Sequence, residues 1–411
     1  MFERKNACFS LLTILFVIVF LEAALTLAAI IWPTVNRLLT SYSVGPPLLI
    51  VDDRLGIRGN PQFPGHDSKG FRNPRVPSRA DIVVFGDSQT YGTSVEPEDA
   101  WPRQLESITH STVYNMAFGG NGPVDSLLLW DEALSLLPKT IIEAFYAGND
   151  LFDAYSKVYW DGKFPELKSD DPIAQDSIQL RNELDAKHNI RLWFPKPRDG
   201  VAVSSPRQLL SKYSKLYGLL RGVHYELVRV NEMRMTSNEK WEEAKRDAKA
   251  HPECCEPFDN GHVRTILTSG YRLEGLDQED PRVLEGRRIA LRVMKRLNDL
   301  ALERSSRFIV LLLPTKELVF KELWSEPTKS YLSLTQNEEQ LWKVTKSFLK
   351  EAGIEYVDAL PALRKQLTSG NPYHESRDGH PNEYGHAAIA KLVAAYLNAD
   401  NNSNDYDRLN R

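Results

Sequence analysis

Five short runs of β-branched and aromatic residues do most to limit the folds open to this chain. They are Asp81–Phe85, Thr112–Asn115, Thr140–Tyr146, Arg307–Leu313 and Glu355–Asp358. Helical periodicity fills most of the gaps between them. Trp101–Ile108 and Asp125–Leu137 are amphipathic, and Arg287–Arg304 sets Ile289, Val293, Leu297, Leu300 and Ala301 on one face. Gln336–Ala352 repeats that spacing and stops at Gly353, a residue that accepts the left-handed conformation ending many helices. A last helix is predicted from Glu383 to Leu397. Strands that alternate with helices pair in parallel, because each return crossover uses a helix, and the helices then cover both faces. The expected domain is a three-layer α/β/α fold on a parallel five-stranded sheet.

The alternation fails over residues 151–285, a charged and aromatic stretch with a helix predicted from Pro206 to about Met235. It reads as a large insertion between the third and fourth strands, where insertions commonly shape a binding site. Residues 32–69 lie in a stretch rich in Pro, Gly and Arg and read as a connector. The α/β domain is expected over 70–399, and the polar residues 400–411 form a predicted disordered tail.

Ahead of the connector stands Phe9–Ile31, an almost wholly apolar run. As a helix it spans about 34 Å, enough for the hydrocarbon core of a bilayer. A secretory leader has a shorter apolar core, about 7–15 residues, so an uncleaved single-pass anchor is expected. Arg4 and Lys5 precede the run and only Arg37 follows closely. The positive-inside rule then places residues 1–8 in the cytoplasm and the remaining chain outside it. Glu22 is the anomaly, since an ionisable group within a span costs a few kcal/mol; it is read as protonated or snorkelling, with a helix–helix contact as the alternative.

Composition excludes several classes. Formal net charge is −4 with acidic residues dispersed, so neither a nucleic-acid surface nor an acidic tail is indicated. The three cysteines show no metal spacing and are too few for a disulfide framework; adjacent Cys254 and Cys255 read as two thiols in a loop, with a vicinal disulfide as the alternative. No cofactor is expected.

Chemistry-bearing residues gather where the predicted strands end. The first run closes in Gly86-Asp87-Ser88, a sharp turn that displays a serine. The second ends in Asn115, followed by a loop containing Gly119, Gly120 and Gly122, whose backbone N–H groups are free to face an anion. After the third comes Gly148-Asn149-Asp150, where Asn149 can offer its amide to an oxyanion. Asp378-Gly379-His380-Pro381 stands just before the last helix, with a carboxylate near enough to fix the imidazole tautomer. Each piece alone is an ordinary turn. In a doubly wound sheet all four reach the same edge.

On these residues the chain resembles the SGNH (GDSL-type) hydrolase superfamily over roughly 70–399, apart from the insertion. The four blocks are Gly86-Asp87-Ser88, Asn115 through Gly120, Gly148-Asn149-Asp150 and Asp378-Gly379-His380. The resemblance implies a flavodoxin-like sheet, Ser88 as nucleophile, His380 as general base and Asp378 as the residue that orients it. It also implies oxyanion donors at the Ser88 N–H, the Gly120 N–H and the Asn149 side chain. One departure from the family pattern is present. The usual spacing is Asp-x-x-His, whereas position 377 is arginine and Asp378 stands two residues before His380.

The expectation is a membrane-anchored serine esterase acting on O-acyl esters, with an acylated cell-envelope polysaccharide as the substrate class the compartment suggests. An O-acyltransferase using the same residues is the alternative, and a non-catalytic envelope assembly or glycan-binding protein is the third. Asp87 and Asp150 are expected to shape turns and His386 to pack against the last helix. Asp358 ends a strand and is a weaker orienting candidate than Asp378. Tyr155, Tyr159, Trp160 and Trp193 are read as a buried mini-core or, alternatively, as stacking surfaces for sugar rings.

Overall fold

The computed structural model describes residues 2–32, 34–36, 39, 47–187, 210 and 213–399. The tail 400–411, Trp193 and the predicted helix start at Pro206 lie outside them. The chain divides into two units, Met1–Leu48 with Asp199–Lys240, and Leu49–Arg198 with Trp241–Arg411. The smaller unit holds two helices, Phe2–Ile31 and Lys215–Arg234. Within the first, Leu12–Ile31 is long and apolar enough to cross a membrane, and stands near the N-terminus as both anchors and signal sequences do.

The larger unit contains nine described strands: β1 Leu49–Asp52, β2 Gly56–Gly59, β3 Ile82–Phe85, β4 Val113–Asn115, β5 Thr140–Tyr146, β6 Glu256–Asp259, β7 Arg264–Leu267, β8 Arg307–Leu313 and β9 Glu355–Asp358. Five form a parallel sheet in the order β4-β3-β5-β8-β9. In sheet-strand sequence this is 2-1-3-4-5, the flavodoxin-like order, and its direction reverses between β3 and β5. Side chains alternate across β3 because successive Cβ atoms point to opposite faces. Val83 and Phe85 pack with Trp130, Leu151, Val293 and Leu297. Ile82 and Val84 pack with Trp101, Leu105, Ile389 and Val393.

The insertion is smaller than 151–285. Helix Asp150–Tyr159 begins it but belongs to the core, packed against helix Pro281–Glu303. At Gly286 the two helices approach so closely that a Cβ would meet the Leu151 carbonyl oxygen at 1.8 Å. Its buried residues Leu151, Ala154, Tyr155 and Val158 stand at i, i+3, i+4 and i+7, a helical period within the charged and aromatic stretch. What remains includes the hairpin β6–β7, with Trp241, Ala248, Cys255 and Ile266 as a small core of their own. Cys254 and Cys255 are joined as a disulfide, not two thiols. The connector is also partly structured. The hairpin β1–β2 lies within 32–69, and buried Asp67 accepts from the Tyr114 hydroxyl at 2.9 Å.

Candidate active site

Ser88 owes its position to the turn after β3. Gly86 takes φ +149°, and a Cβ there would press on Thr90 Oγ1 at 2.7 Å and Ala144 Cβ at 3.1 Å. Asp87 then caps the short helix Ser88–Tyr91 by accepting from the Gln89 N–H at 2.9 Å. The serine is thereby lifted above the C-terminal edge of the sheet, beside the point where strand order reverses.

His380 arrives from the loop before helix Glu383–Ala399. Its Nε2 lies 2.8 Å from Ser88 Oγ and its Nδ1 lies 2.6 Å from Asp378 Oδ1. The His380 backbone N–H donates to that same oxygen at 3.0 Å, and the Ser94 hydroxyl donates to Asp378 Oδ2. Burial alone would raise the Asp378 carboxyl. The bond and charge of His380 together with the Ser94 hydroxyl outweigh it and hold the group well below the ordinary carboxylate range. Asp378 therefore stays ionised and fixes the proton of His380 on Nδ1, which leaves Nε2 to accept from Ser88.

The glycine loop lies over the serine. A Cβ on Gly119 would sit 3.8 Å from Ser88 Cβ, and Gly120, at φ +82°, has open space where its Cβ would be. The flanking N–H groups are engaged: Phe118 donates to Gly86 O, Asn121 to Phe118 O and Gly122 to Asp125 Oδ2. Among the described residues, the amides of Ser88, Gly119 and Gly120 enter no such bond. Asn149 starts helix Asp150–Tyr159 and stands, like Ser88, beside the Asp87 carboxylate. Its Nδ2 donates to Asp153 Oδ2 at 2.5 Å.

Three partners escaped the sequence reading. Ser94 bonds to Asp378 across 284 positions. Asp153 holds Asn149 from one helical turn on, and burial pushes its carboxyl up to about 8, against the Asn149 bond and with the Asp87 and Asp125 charges. Lys316 is fully buried. Its Nζ donates to Ile266 O at 2.6 Å, to Ser376 O and Asp378 O at 2.9 Å each, and to Thr265 Oγ1 at 3.3 Å. It ties the loop that carries Asp378 to strand β7. Only the spacing of Asp153 from Asn149 left a signal in the sequence, and the helix joining them was read as insertion.

Other candidates fall elsewhere. Asp150 accepts from the Tyr146 N–H, and burial raises it well above the usual range. His386 is buried and accepts from the Trp101 N–H at 3.2 Å. Asp358 accepts from Lys346 and from the Leu360 N–H. Tyr155 is buried and stacks on Tyr159 with ring centres 4.6 Å apart, and both join Phe152 and Trp160 in an aromatic cluster. That packing fits the mini-core alternative for Tyr155, with Tyr159 and Trp160 partly buried at its edge. No group of metal-ligating side chains occurs among the described residues.

Residues 272–409, which include Asp378 and His380, match the family described as SGNH hydrolase-like domain, acetyltransferase AlgX. Over those residues this chain is similar to the SGNH hydrolase superfamily. Solved structures similar to this chain include phospholipase A1 from Streptomyces albidoflavus NA297, at 11% identity and TM-score 0.37, covering 78% of this chain and 99% of that one. A GDSL-like lipase from Bacteroides thetaiotaomicron VPI-5482 is similar at 9% identity and TM-score 0.34, covering 78% and 88%. A catalytic mutant of Axe2, an acetylxylan esterase from Geobacillus stearothermophilus, is similar at 11% identity and TM-score 0.33, covering 78% and 95%. The sequence has no match among the curated proteins.

Proposed function

We propose that the domain is a serine esterase that cleaves O-acyl esters through an acyl-enzyme. The observation that carries this reading is the continuous hydrogen-bonded series Ser88 Oγ, His380 Nε2, His380 Nδ1, Asp378 Oδ1. His380 takes the Ser88 proton as the hydroxyl oxygen attacks the ester carbonyl. Negative charge develops on the carbonyl oxygen, and the Ser88 and Gly120 N–H groups with the Asn149 amide stabilise it. Such donors are often the largest single contribution to the rate. The tetrahedral intermediate collapses, the alkoxide leaves with the proton held by His380, and water then attacks the acyl-enzyme with His380 again as base.

One observation favours a second reading. The matched family carries the name of an acetyltransferase. A sugar hydroxyl in place of water in the last step would make this chain an O-acyltransferase with the same residues. For either reading we place the helix Phe2–Ile31 as an uncleaved anchor, with the α/β domain on the non-cytoplasmic side and an acylated envelope glycan as the substrate class.

A fluorophosphonate probe tests the nucleophile: wild type is expected to label and Ser88→Ala is not. Equal labelling of both would overturn the assignment. Incubation with an acetylated oligosaccharide and an unacetylated acceptor separates the two readings. Free acetate as the main product supports the esterase, and acetylated acceptor supports the transferase.

A further inference from the structure

Glu22 stands midway along the apolar span Leu12–Ile31, where a carboxyl group needs partners. The structure supplies three, all from the start of the second helix of the same unit. Glu22 Oε1 accepts from the Lys215 N–H at 2.6 Å, and Oε2 accepts from the Leu216 N–H at 3.0 Å and the Ser214 hydroxyl at 2.7 Å. Ser214 Oγ in turn accepts from the Tyr217 N–H at 3.0 Å. The first turn of any helix leaves N–H groups without internal partners, and hydrocarbon offers none. Here a side chain from the anchor takes two of them. A carboxyl in an apolar span and a helix that begins beside it each remove the other's cost.

Burial along helix Lys215–Arg234 runs opposite to that of a water-soluble helix. Gly218 and Gly222, four residues apart on one face, are buried. A Cβ on Gly218 would lie 2.6 Å from the Leu39 carbonyl oxygen. On the anchor, the packed positions include Glu22, Leu25, Ala28 and Ala29, with small residues dominating the C-terminal part. Small residues at the contact are the usual solution for helices that meet in lipid. The opposite face of the second helix carries Leu219, Leu220, Val223 and Leu227, exposed by 40%, 60%, 51% and 66%. Leu220, Val223 and Leu227 stand at i, i+3 and i+7, and Leu219 lies one turn before Val223, so the four form a single stripe. A helix in water turns such a stripe inward, whereas this one turns its glycines inward and its leucines out.

We propose that helix Lys215–Arg234 is seated in the bilayer beside the anchor, with Leu219, Leu220, Val223 and Leu227 against lipid acyl chains and Glu22 as the pin. The inference rests on the reading of Phe2–Ile31 as an uncleaved membrane anchor. The occupant follows from continuity, since the stripe belongs to a helix whose first turn is bonded to the middle of the spanning segment. The inserted segment would then make a second membrane contact.

The test places single cysteines in the full-length Cys8→Ser chain, where Cys254 and Cys255 are disulfide-bonded. Val223→Cys, Phe16→Cys and Glu303→Cys are each labelled with an environment-sensitive fluorophore and reconstituted into phosphatidylcholine vesicles containing nitroxide-labelled lipid. Phe16 reports the anchor and Glu303 the aqueous domain. The expected result is loss of fluorescence at positions 16 and 223 and none at 303. Adding Glu22→Ala should abolish quenching at 223 and preserve it at 16. Quenching at 16 without quenching at 223 overturns the inference and leaves the anchor standing. No quenching at 16 overturns the anchor, and the inference with it. Protection of position 223 from a water-soluble quencher in detergent as well as in vesicles, without lipid quenching, would mean a protein covers the stripe and also overturns it.

Discussion

Replacing Lys316 by methionine tests whether a buried ammonium holds the proposed Asp378–His380 pair in place. Burial lowers the Lys316 ammonium to about 8, against the Glu317 and Asp378 charges and with that of Arg272. The fall from the ordinary lysine value corresponds to about 3 kcal/mol of unfavourable burial. The sign follows from linkage. Below pH 8 both folded and unfolded chains carry the proton and the full cost is present. Between pH 8 and the ordinary lysine value the unfolded chain binds more proton, so this contribution favours folding as pH rises. Methionine removes that cost and keeps the stem. It also strands the carbonyls of Ile266, Ser376 and Asp378, at about 1–3 kcal/mol for each that stays dry. The loop relieves part of this by moving toward water, and the expected net loss of stability is about 1–3 kcal/mol. Movement costs activity, because a displacement of about 1 Å lowers turnover roughly 100-fold. Steady-state hydrolysis of a chromogenic ester, paired with urea unfolding, measures both. In wild type, loss of the Lys316 proton removes one of three donors, so turnover should fall as pH passes about 8, and the variant should lack that limb. Unchanged turnover in a folded Lys316→Met protein would refute the clamp.

Further outcomes follow from the same geometry. Asp378→Asn should reduce turnover by about 10³–10⁴ with the fold intact, because the amide favours the wrong imidazole tautomer; stopped-flow acylation measures it, and a mild effect would point to another carboxylate. Asp153→Ala frees the Asn149 amide and should lower kcat by about 10²-fold with little change in KM, as removal of an oxyanion donor does. Asp153→Asn keeps an acceptor oxygen and should stay near wild type, and equal loss in both variants would exclude the positioning role. Burial, reinforced by His380, Arg72 and His374, holds His386 down at about 3. Its contribution to stability is therefore complete above the ordinary histidine value and lost as pH falls toward 3. His386→Leu should flatten the decline of the urea midpoint between pH 7 and 4, and parallel curves would contradict this.

The fold was legible because burial on two faces leaves a sequence mark. Strands β5, β8 and β9 coincide with Thr140–Tyr146, Arg307–Leu313 and Glu355–Asp358 as read from their apolar runs. Helix boundaries were less legible where caps decide them. Pro281–Glu303 starts six residues before the periodic stretch that revealed it, at a proline preceded by the capping Asp280. Contacts that join distant loops leave no periodicity at all. The four acceptors of Lys316 come from strand β7 and the Asp378 loop, 50 to 62 residues away, and Glu22 meets Ser214 across 192. A lone buried lysine or glutamate in a sequence says that a partner exists, not which one.

The same limit bears on the Asp378-Gly379-His380 spacing, which departs from the family pattern. At two residues the backbone folds back, and the His380 N–H and Nδ1 both converge on Oδ1. The turn that brings the carboxylate to the ring is thus closed by the carboxylate. The other oxygen is taken by Ser94, so the group keeps a fixed plane. Gly379 fits because a Cβ there would lie 2.8 Å from the Arg272 guanidinium, which backs the loop. Arg377, which occupies the family's usual acidic position, turns away and pairs with Asp247 at 2.9 Å. The two-residue spacing therefore makes the pair part of a local turn, which the Ser94 bond and the Lys316 bond to Asp378 O hold from outside.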